Sequence, residues 1–182
     1  MTIWTHLAQH SFEETPRLFL RPPLITDLAA FHELASDPQN VTYIFPAQAS
    51  REESLHLWTH AFLKHPLGTW VLEDPHEHRL IGVIRLEKIQ ESLRQAEVGY
   101  FLHKKYWGQS LMAEALSHLC QILLESGGLE SLSLQVHLEN TASQRVAQKA
   151  GFELLRQFKG SDRYSRKMRD YLEFQRKRGR YE

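Results

Sequence analysis

A glycine that separates a strand pattern from a helical pattern is the first feature of this chain that points to chemistry. Residues 96–102, AEVGYFL, suit a strand in which every second residue faces the same side, and residues 109–125 carry apolar side chains at helical spacing. Gly108 lies in the short turn between them. Glycine lets backbone amides approach a ligand, and a helix N-terminus adds unpaired N–H donors and about half a positive charge. The junction therefore predicts either a site for a phosphate-bearing ligand or an ordinary strand-to-helix turn.

A second segment, residues 136–154, reads VHLENTASQRVAQKAGFEL. Taken with EVGYFLHKKYWGQSLMAEAL at 97–116, the Asn140-x-x-Ser143 helix start and the Lys149-Ala-Gly-Phe152 ending, it resembles the GNAT superfamily of acetyl-CoA-dependent N-acetyltransferases. Within that superfamily the chain looks like the Rim-type branch, which includes enzymes that acetylate the N-termini of ribosomal proteins. The resemblance extends from about Thr15 to Glu173. Neither a P-loop nor a GxGxxG dinucleotide motif is present.

The resemblance implies a loop that holds the pyrophosphate of coenzyme A. The family pattern Gln/Arg-x-x-Gly-x-Gly/Ala falls on Lys105, Gly108 and Ser110, so both ends depart from it, although lysine keeps a positive charge and serine is small. Backbone amides from Trp107 to Leu111 are expected to bind the pyrophosphate, and the strand at 100–102 is expected to pair with the pantetheine arm. The coenzyme A contacts implied are Phe101, Leu102, Lys105, Trp107, Gly108, Gln109, Ser110, Leu111 and Asn140. Asn140 either binds the pantetheine or substrate region or caps its helix, and the two roles are compatible.

The same resemblance implies direct acetyl transfer from a thioester to an amine, without an acyl-enzyme. Glu97 occupies the position of a strand carboxylate at the acceptor pocket and is assigned as the general base; the alternative is a solvated strand residue. A backbone N–H of Phe101 or Leu102 is the expected oxyanion donor. Many relatives protonate the leaving thiolate with a tyrosine, but that position is Ala147 here. Ser143 is therefore the candidate acid, with an exposed hydroxyl in a first helical turn as the alternative.

The elements that must position these residues follow from hydrophobic spacing. Strands are predicted at 17–22, 69–73, 79–87, 96–102, 131–137, 151–158 and 167–174, and helices at 26–36, 50–64, 109–125 and 141–150. This order of elements predicts a mixed α/β class, with a mixed sheet and helices on both faces. The resemblance implies the GNAT fold, with a central, mostly antiparallel sheet of about six to seven strands. Thr26 and Asp27 are predicted to cap the first helix, and Ser50 with Glu53 forms a capping box for the second.

Apolar residues predict which helix faces are buried. The inward residues are predicted to be Leu28, Phe31, Leu34 and Ala35, then Leu55, Trp58, Phe62 and Leu63, then Met112, Leu116, Leu119, Cys120, Leu123 and Leu124. The third helix is expected to stop at Gly127-Gly128. Trp58, Trp70 and Trp107 are expected in the core or in a pocket wall.

Composition sets outer limits on the fold. The chain has 182 residues, 42% hydrophobic and 24% charged, which excludes wholesale disorder and suits a single domain, with 1–14 as an N-terminal extension and 175–182 as a basic tail. No apolar run approaches the roughly 18 residues of a membrane span, and the start lacks the features of a secretory signal, so a cytoplasmic protein without membrane contact is expected. The net charge is zero, yet residues 156–182 contain ten Lys and Arg against four acids. That basic end either contacts RNA or the ribosome weakly or remains a solvated tail.

Eleven histidines raise the question of a metal site. His56 and His60 have helical i,i+4 spacing, and His76 lies near His78, but spacing fixes no third ligand, so no metal is expected. The predicted partners are acetyl-CoA and an amine acceptor, with a homodimer as a further option. The first acceptor is the N-terminal amine of a ribosomal protein. The alternatives are a small amine such as a polyamine, amino acid or aminoglycoside, and a noncatalytic acyl-CoA-binding module.

Overall fold

The computed structural model describes residues 1–126 and 128–179. Within these residues eight strands form one mixed sheet in the order β1-β2-β3-β4-β5-β6-β8-β7. The strands are β1 (Glu13–Glu14), β2 (Phe19–Arg21), β3 (Thr69–Asp74), β4 (Arg79–Gln90), β5 (Gln95–Leu102), β6 (Ser131–His137), β7 (Glu153–Ser161) and β8 (Met168–Lys177). All seven predicted strands are present, and the two-residue β1 is additional. The predicted mixed α/β class is therefore confirmed.

Helices precede the central strands and also connect them. The helices are α1 (Ile3–Gln9), α2 (Leu28–Ala35), α3 (Pro38–Val41), α4 (Arg51–Leu57), α5 (Leu111–Glu125) and α6 (Thr141–Lys149). A π-helical segment, Trp58–Leu63, continues α4, and 3-10 turns cover Ile25–Asp27 and Lys104–Tyr106. The four predicted helices are confirmed, whereas α1 and α3 are too short to show a clear period in the sequence. The segment 1–14, predicted as an extension, thus contains a helix and a short strand.

Contacts divide the chain into two compact units. One unit consists of Leu7–Arg85 and Tyr100–Leu111, and it is called the loop unit because it contains the predicted pyrophosphate loop. The other consists of Met1–His6, Leu86–Gly99 and the chain from Met112 onward, and it is called the carboxylate unit because it contains Glu97.

The loop unit has an aromatic core. Its rings belong to Phe31, Phe45, Trp58, Phe62 and Phe101, all buried. The Phe31 and Trp58 ring centroids lie 4.6 Å apart, and Phe45 meets Phe101 edge to face at 5.6 Å. Such aromatic pairs add about 0.5–1.5 kcal/mol each beyond the burial of their area. This cluster fixes α2 and the π-helical segment against the end of β5.

The predicted caps have mixed outcomes. Ser50 Oγ accepts the Glu53 N–H at 3.1 Å, so the predicted capping residue of α4 is confirmed. Asp27 lies at the N-cap position of α2 as predicted, but its side chain does not cap that helix, because its carboxylate accepts the N–H of Leu24 and pairs with Arg21. Thr26 lies inside the preceding 3-10 turn and is not a cap. Leu55, predicted to face inward, is exposed. The wider π-helical turn after Leu57 changes the phase of the helix, and Trp58 and Phe62 nevertheless remain buried.

The carboxylate unit is built on α5 and the strands β6, β7 and β8. Every residue of the predicted α5 stripe is buried, including Cys120. Burial raises the pKa of the Cys120 thiol to about 12, so this cysteine is packing rather than a nucleophile. β6 pairs antiparallel with β8 from Ser131↔Lys177 to His137↔Tyr171. Parallel pairing of β5 with β6 runs from Gln95↔Ser131 to Glu97↔Ser133, whereas β5 continues to Leu102 and β6 to His137.

Residues 175–178 of the predicted basic tail are part of the folded structure. Residues 175–177 belong to β8, and Arg178 donates from Nε to the carbonyl of Leu124 at 2.6 Å. Residues 180–182 of the predicted basic tail lie outside the described residues, as does Gly127 of the predicted helix stop. α5 ends at Glu125, and Gly128 has the left-handed φ of 81° that favours glycine. Among the helices formed by the described residues, none has the length and apolar character to span a membrane.

Candidate functional site

The segment His103–Ser110, called the 103–110 loop, is fixed at its start by hydrogen bonds within the loop. Lys104–Tyr106 form a single 3-10 turn. The backbone N–H of Lys105 donates to His103 Nδ1 at 3.1 Å, and the N–H of Tyr106 donates to the carbonyl of His103 at 2.9 Å. The first half of the loop is therefore held in its conformation by its own hydrogen bonds.

Asn40, a buried residue of α3, ties this loop to the helical layer of the loop unit. Its Oδ1 accepts the backbone N–H of Lys104 at 2.6 Å, and its Nδ2 donates to the carbonyl of Leu34 at 3.0 Å. A buried amide that loses one of these partners leaves an unsatisfied polar group, at a cost of about 1–3 kcal/mol. Sequence reasoning missed Asn40, because no local pattern predicts a partner 64 residues away.

Each lysine of the loop faces a carboxylate. Lys104 Nζ lies 2.7 Å from Asp37 Oδ2, and this hydrogen bond, with that from the backbone of Gln39, lowers the pKa of Asp37. Lys105 Nζ lies 3.5 Å from Glu77 Oε1, and the lysine is mostly exposed. Exposed ion pairs of this length are weak, so the ammonium group of Lys105 is able to turn toward a phosphate.

Tyr106 joins the loop to the turn between β3 and β4. Its hydroxyl lies 3.3 Å from Asp74 Oδ2 and 3.2 Å from Glu77 Oε2 and donates toward these carboxylates. Burial, together with the negative charges of Glu77 and Asp74, raises the pKa of Tyr106 to about 12. The phenol therefore stays protonated at neutral pH and remains a donor that clamps the loop.

The second half of the loop has an unusual backbone. Gly108 has φ of 76° and Ser110 has φ of 60°, both in the left-handed region. A right-handed helix cannot include such residues, so α5 begins at Leu111 and not at the predicted Gln109. A Cβ placed on Gly108 would meet no atom within 4 Å. Space is therefore open beside Gly108, as a backbone that cradles an anion requires, and only the positive φ argues for glycine there.

We expect Gly108→Ala to weaken coenzyme A binding about 5- to 30-fold, because a left-handed L-residue costs about 1–2 kcal/mol and the loop relaxes away from its amide geometry. Titration calorimetry with coenzyme A measures the affinity. Ser110→Gly is the matched control, since glycine suits the φ of 60° and affinity should change less than about threefold. Equal binding by Gly108→Ala and the parent protein would contradict a role for the loop conformation.

Two side chains of the predicted pantetheine strand face the protein interior. Phe101 and Leu102 are both buried, and the Phe101 ring packs in the aromatic core. A Cβ on Gly82 of β4 would lie 2.6 Å from the carbonyl oxygen of Phe101, so only glycine permits this approach. Trp107, predicted as core or pocket wall, is exposed and donates from Nε1 to the carbonyl of Leu102 at 2.8 Å. The turn residues 107–110 are all exposed, and two of them, Gly108 and Ser110, have positive φ values.

Glu97 lies in the carboxylate unit, at the last parallel pair between β5 and β6. Its side chain is 22% exposed, and its Oε2 is 2.9 Å from Lys88 Nζ. Gln135 Nε2 donates to the other oxygen, Oε1, at 3.1 Å. A carboxylate with these two partners is held in a fixed orientation while remaining partly open to solvent. Each oxygen keeps a further lone pair for a proton.

Asn140 and Ser143 form a helix cap in the same unit. Asn140 Oδ1 accepts the backbone N–H of Ser143 at 3.2 Å, which confirms the capping role of Asn140. Ser143 is half-buried in the first turn of α6, and its role as an acid remains a prediction. Ala147, at the position where many relatives carry tyrosine, is fully buried.

Lys88 and Gln135 were also missed by sequence reasoning. Strand alternation places Ser133 and Gln135 on one face of β6, and Ser133 pairs with Glu97. The partnership of Gln135 with Glu97 was therefore accessible once the strand register was known. Lys88 offered no comparable signal, because its backbone leaves the normal strand conformation with φ of 48°.

The histidine pairs add no further site. The His56 and His60 rings lie 4.3 Å apart. Within the described part of the chain, no three His, Cys, Asp or Glu side chains are grouped to hold a metal ion.

Comparisons with known proteins agree with this architecture. Residues 17–153 match the family model described as acetyltransferase (GNAT) domain. A ribosomal-protein-serine acetyltransferase of Escherichia coli (strain K12) is 35% identical over 78 residues, 43% of this chain and 44% of that protein. The chain spans about half the length of the curated relatives it matches first.

Solved structures share the fold at low identity. An acetyltransferase (GNAT family) from Bacillus anthracis superposes with a TM-score of 0.81 at 22% identity, covering 92% of this chain and 98% of that one. Spermidine N-acetyltransferase from Vibrio cholerae, solved with CoA and spermine, gives a TM-score of 0.73 at 20% identity over 89% of this chain and 96% of that one.

Proposed function

The chain belongs to the acetyltransferase (GNAT) family, and we propose that it transfers the acetyl group of acetyl-CoA directly to a primary amine, with the N-terminal amine of a ribosomal protein as the first acceptor. The observation that carries the proposal is the position of Glu97. It is a fixed, partly exposed carboxylate at the last pair of the parallel ladder, where β5 continues beyond its pairing with β6.

In this proposal Glu97 removes a proton from the ammonium group of the acceptor, directly or through water. The free amine attacks the thioester carbonyl, the new C–N bond forms, and the C–S bond breaks. The departing thiolate takes a proton, for which Ser143 is the candidate donor, and the second proton that the acetylated nitrogen loses returns to Ser143, directly or through water. A positioned general base contributes about 10²- to 10⁴-fold to such a rate, so Glu97 is the largest single side-chain contribution expected here.

The 103–110 loop suits the pyrophosphate of acetyl-CoA. Its second half combines left-handed residues, open space at Gly108 and the N-terminus of the 15-residue α5. Backbone amides from Trp107 to Leu111 are proposed to bind the phosphates. Lys105 is proposed to leave its ion pair with Glu77 and to pair with the phosphates instead. Phe101 and Leu102 are proposed to contact the pantetheine through their backbone, since their side chains are buried. Acetyl-CoA supplies the activated acetyl group.

The acceptor class is supported by likeness and by charge. The E. coli relative is named for a ribosomal protein substrate, and the structural neighbour from V. cholerae is named for spermidine, a small polyamine. Both acceptors are cations. Residues 1–155 contain twelve Lys and Arg against eighteen acids, which favours a cationic acceptor in either case. A polyamine is thus the second candidate.

A two-part experiment tests the proposal. First, coenzyme A at about 100 times its Kd is expected to stabilise the folded protein by about 2.7 kcal/mol, measured as a thermal shift. Second, incubation with acetyl-CoA and either ribosomal proteins or pooled small amines should release thiol and add one acetyl group to the acceptor, detected by intact mass. A thermal shift without thiol release from any amine would instead identify a noncatalytic acyl-CoA-binding module.

A further inference from the structure

Lys88 occupies a position at Glu97 that an acceptor amine needs. Its Nζ lies 2.9 Å from Glu97 Oε2. A proton donor must approach its general base to about 2.6–3.2 Å between heavy atoms. If Glu97 is the base, as the proposed function states, then the ammonium group of Lys88 already stands where the nitrogen of the acceptor must arrive.

The backbone of β4 is strained at this residue. Lys88 has φ of 48°, in the left-handed region, inside a strand that runs from Arg79 to Gln90. Successive residues of a regular strand face opposite sides. Here Glu87 approaches Gly99, since a Cβ on Gly99 would lie 3.9 Å from the Glu87 carboxyl carbon, and Lys88 reaches Glu97 on the same side of β5. The strained residue thus brings two successive side chains to one face, and strained backbone of this kind clusters at active sites and ligand-binding segments.

Only the lysine of this ion pair is exposed enough to move into solvent. The Lys88 side chain is 56% exposed, whereas that of Glu97 is 22% exposed. An ion pair with one exposed, flexible partner is weak, so Lys88 is easily displaced into solvent. Gln135 holds the other oxygen of Glu97, and the carboxylate therefore keeps its orientation when the lysine leaves.

We propose that Lys88 is a displaceable internal competitor for the acceptor: its ammonium group occupies Glu97 until the ammonium group of the acceptor replaces it. The lysine leaves before the proton transfer and takes no part in the chemical step. It is a specificity residue that raises the acceptor KM, and it keeps Glu97 paired with a cation in the absence of acceptor.

Kinetics of Lys88 variants with the preferred acceptor test this inference. Lys88→Met should lower the acceptor KM about two- to fivefold, the range expected for loss of a competing exposed ion pair. The kcat should stay within about twofold, and the KM for acetyl-CoA should not change, because the lysine acts on acceptor binding alone. Lys88→Gly, which suits the φ of 48°, should behave like Lys88→Met and secures the test if methionine disturbs folding. Lys88→Arg should keep the parent KM.

Arg163→Met is the matched control. Arg163 is 57% exposed and pairs with Glu87 at 3.4 Å, so its loss removes an equally exposed positive charge that does not contact Glu97. An unchanged or higher acceptor KM in both Lys88→Met and Lys88→Gly would overturn the inference, as would an equal fall in Arg163→Met. Absence of thiol release by the parent protein would instead refute the proposed function, and the inference with it.

Discussion

Replacing Glu97 with glutamine should lower kcat about 10²- to 10⁴-fold, because glutamine keeps the shape of the side chain but cannot take the proton of the acceptor. Glu97 is partly buried and is oriented by Gln135. Because glutamine and glutamate have nearly the same volume, the new side-chain amide should fit in the same place. Binding of acetyl-CoA does not depend on that carboxylate in the proposed mechanism, and its KM should therefore change little. Thiol release with a saturating acceptor measures kcat.

Glu87→Gln is the control for this substitution. Glu87 is 21% exposed and pairs with Arg163, which is 57% exposed, so its burial and its partner closely resemble those of Glu97. The variant should keep kcat within about twofold of the parent. Equal consumption of acetyl-CoA by Glu97→Gln and the parent would remove Glu97 as the base, and an equal loss in Glu87→Gln would indicate a general effect of charge.

The parts of the fold that could be predicted are those with a strong local period. Helix α5 shows apolar residues at helical spacing over four turns, and every residue of that stripe is buried. The turn at 108 was predicted because glycine interrupts two clear periods. Such signals depend on neighbours in the sequence and need no knowledge of the rest of the chain.

The errors arise where a tertiary contact prevails over the local preference. Asp27 has the right type and position for a cap, but Arg21 and the N–H of Leu24 take its carboxylate. Leu55 fits the helical period, but the π-helical segment that starts at Trp58 shifts the phase. A regular helical pattern in the sequence does not predict a π-helical turn, which is wider than an α-helical turn.

The candidate site divides in the same way. The resemblance predicted roles for the 103–110 loop and for Glu97, but it did not predict the residues that hold them in position. These are Asn40, which binds the backbone of Lys104, and Gln135 and Lys88, which contact the Glu97 carboxylate. Each support comes from a distant part of the chain. Ser110 departs from the family pattern in residue type, and its backbone has the left-handed conformation that glycine favours, at some cost in strain.

Asp27→Ala should lower the free energy of unfolding by about 3–5 kcal/mol, because it leaves a buried guanidinium without its main partner. Arg21 Nη2 lies 2.7 Å from Asp27 Oδ1, and their side chains are 14% and 6% exposed. Burial lowers the pKa of Arg21 in the parent protein, whereas the hydrogen bonds and charges of Asp27 and Glu73 raise it. An arginine side chain is not deprotonated in proteins, so the guanidinium stays charged in the variant and meets the full penalty. The substitution also removes the acceptor of the Leu24 N–H. Urea denaturation measures the loss.

A second arginine–carboxylate pair of the loop unit is the control that distinguishes the effect of burial from the effect of charge on the free energy of unfolding. Arg79 Nη2 lies 2.6 Å from Glu33 Oε2, but these side chains are 39% and 56% exposed. Water screens that pair and solvates either partner alone, so Glu33→Ala should cost no more than about 1 kcal/mol. Asp27→Asn should fall between the two, since its amide oxygen still accepts the Leu24 N–H. Equal losses in Asp27→Ala and Glu33→Ala would show that burial of the Arg21 pair does not determine the stability of this region.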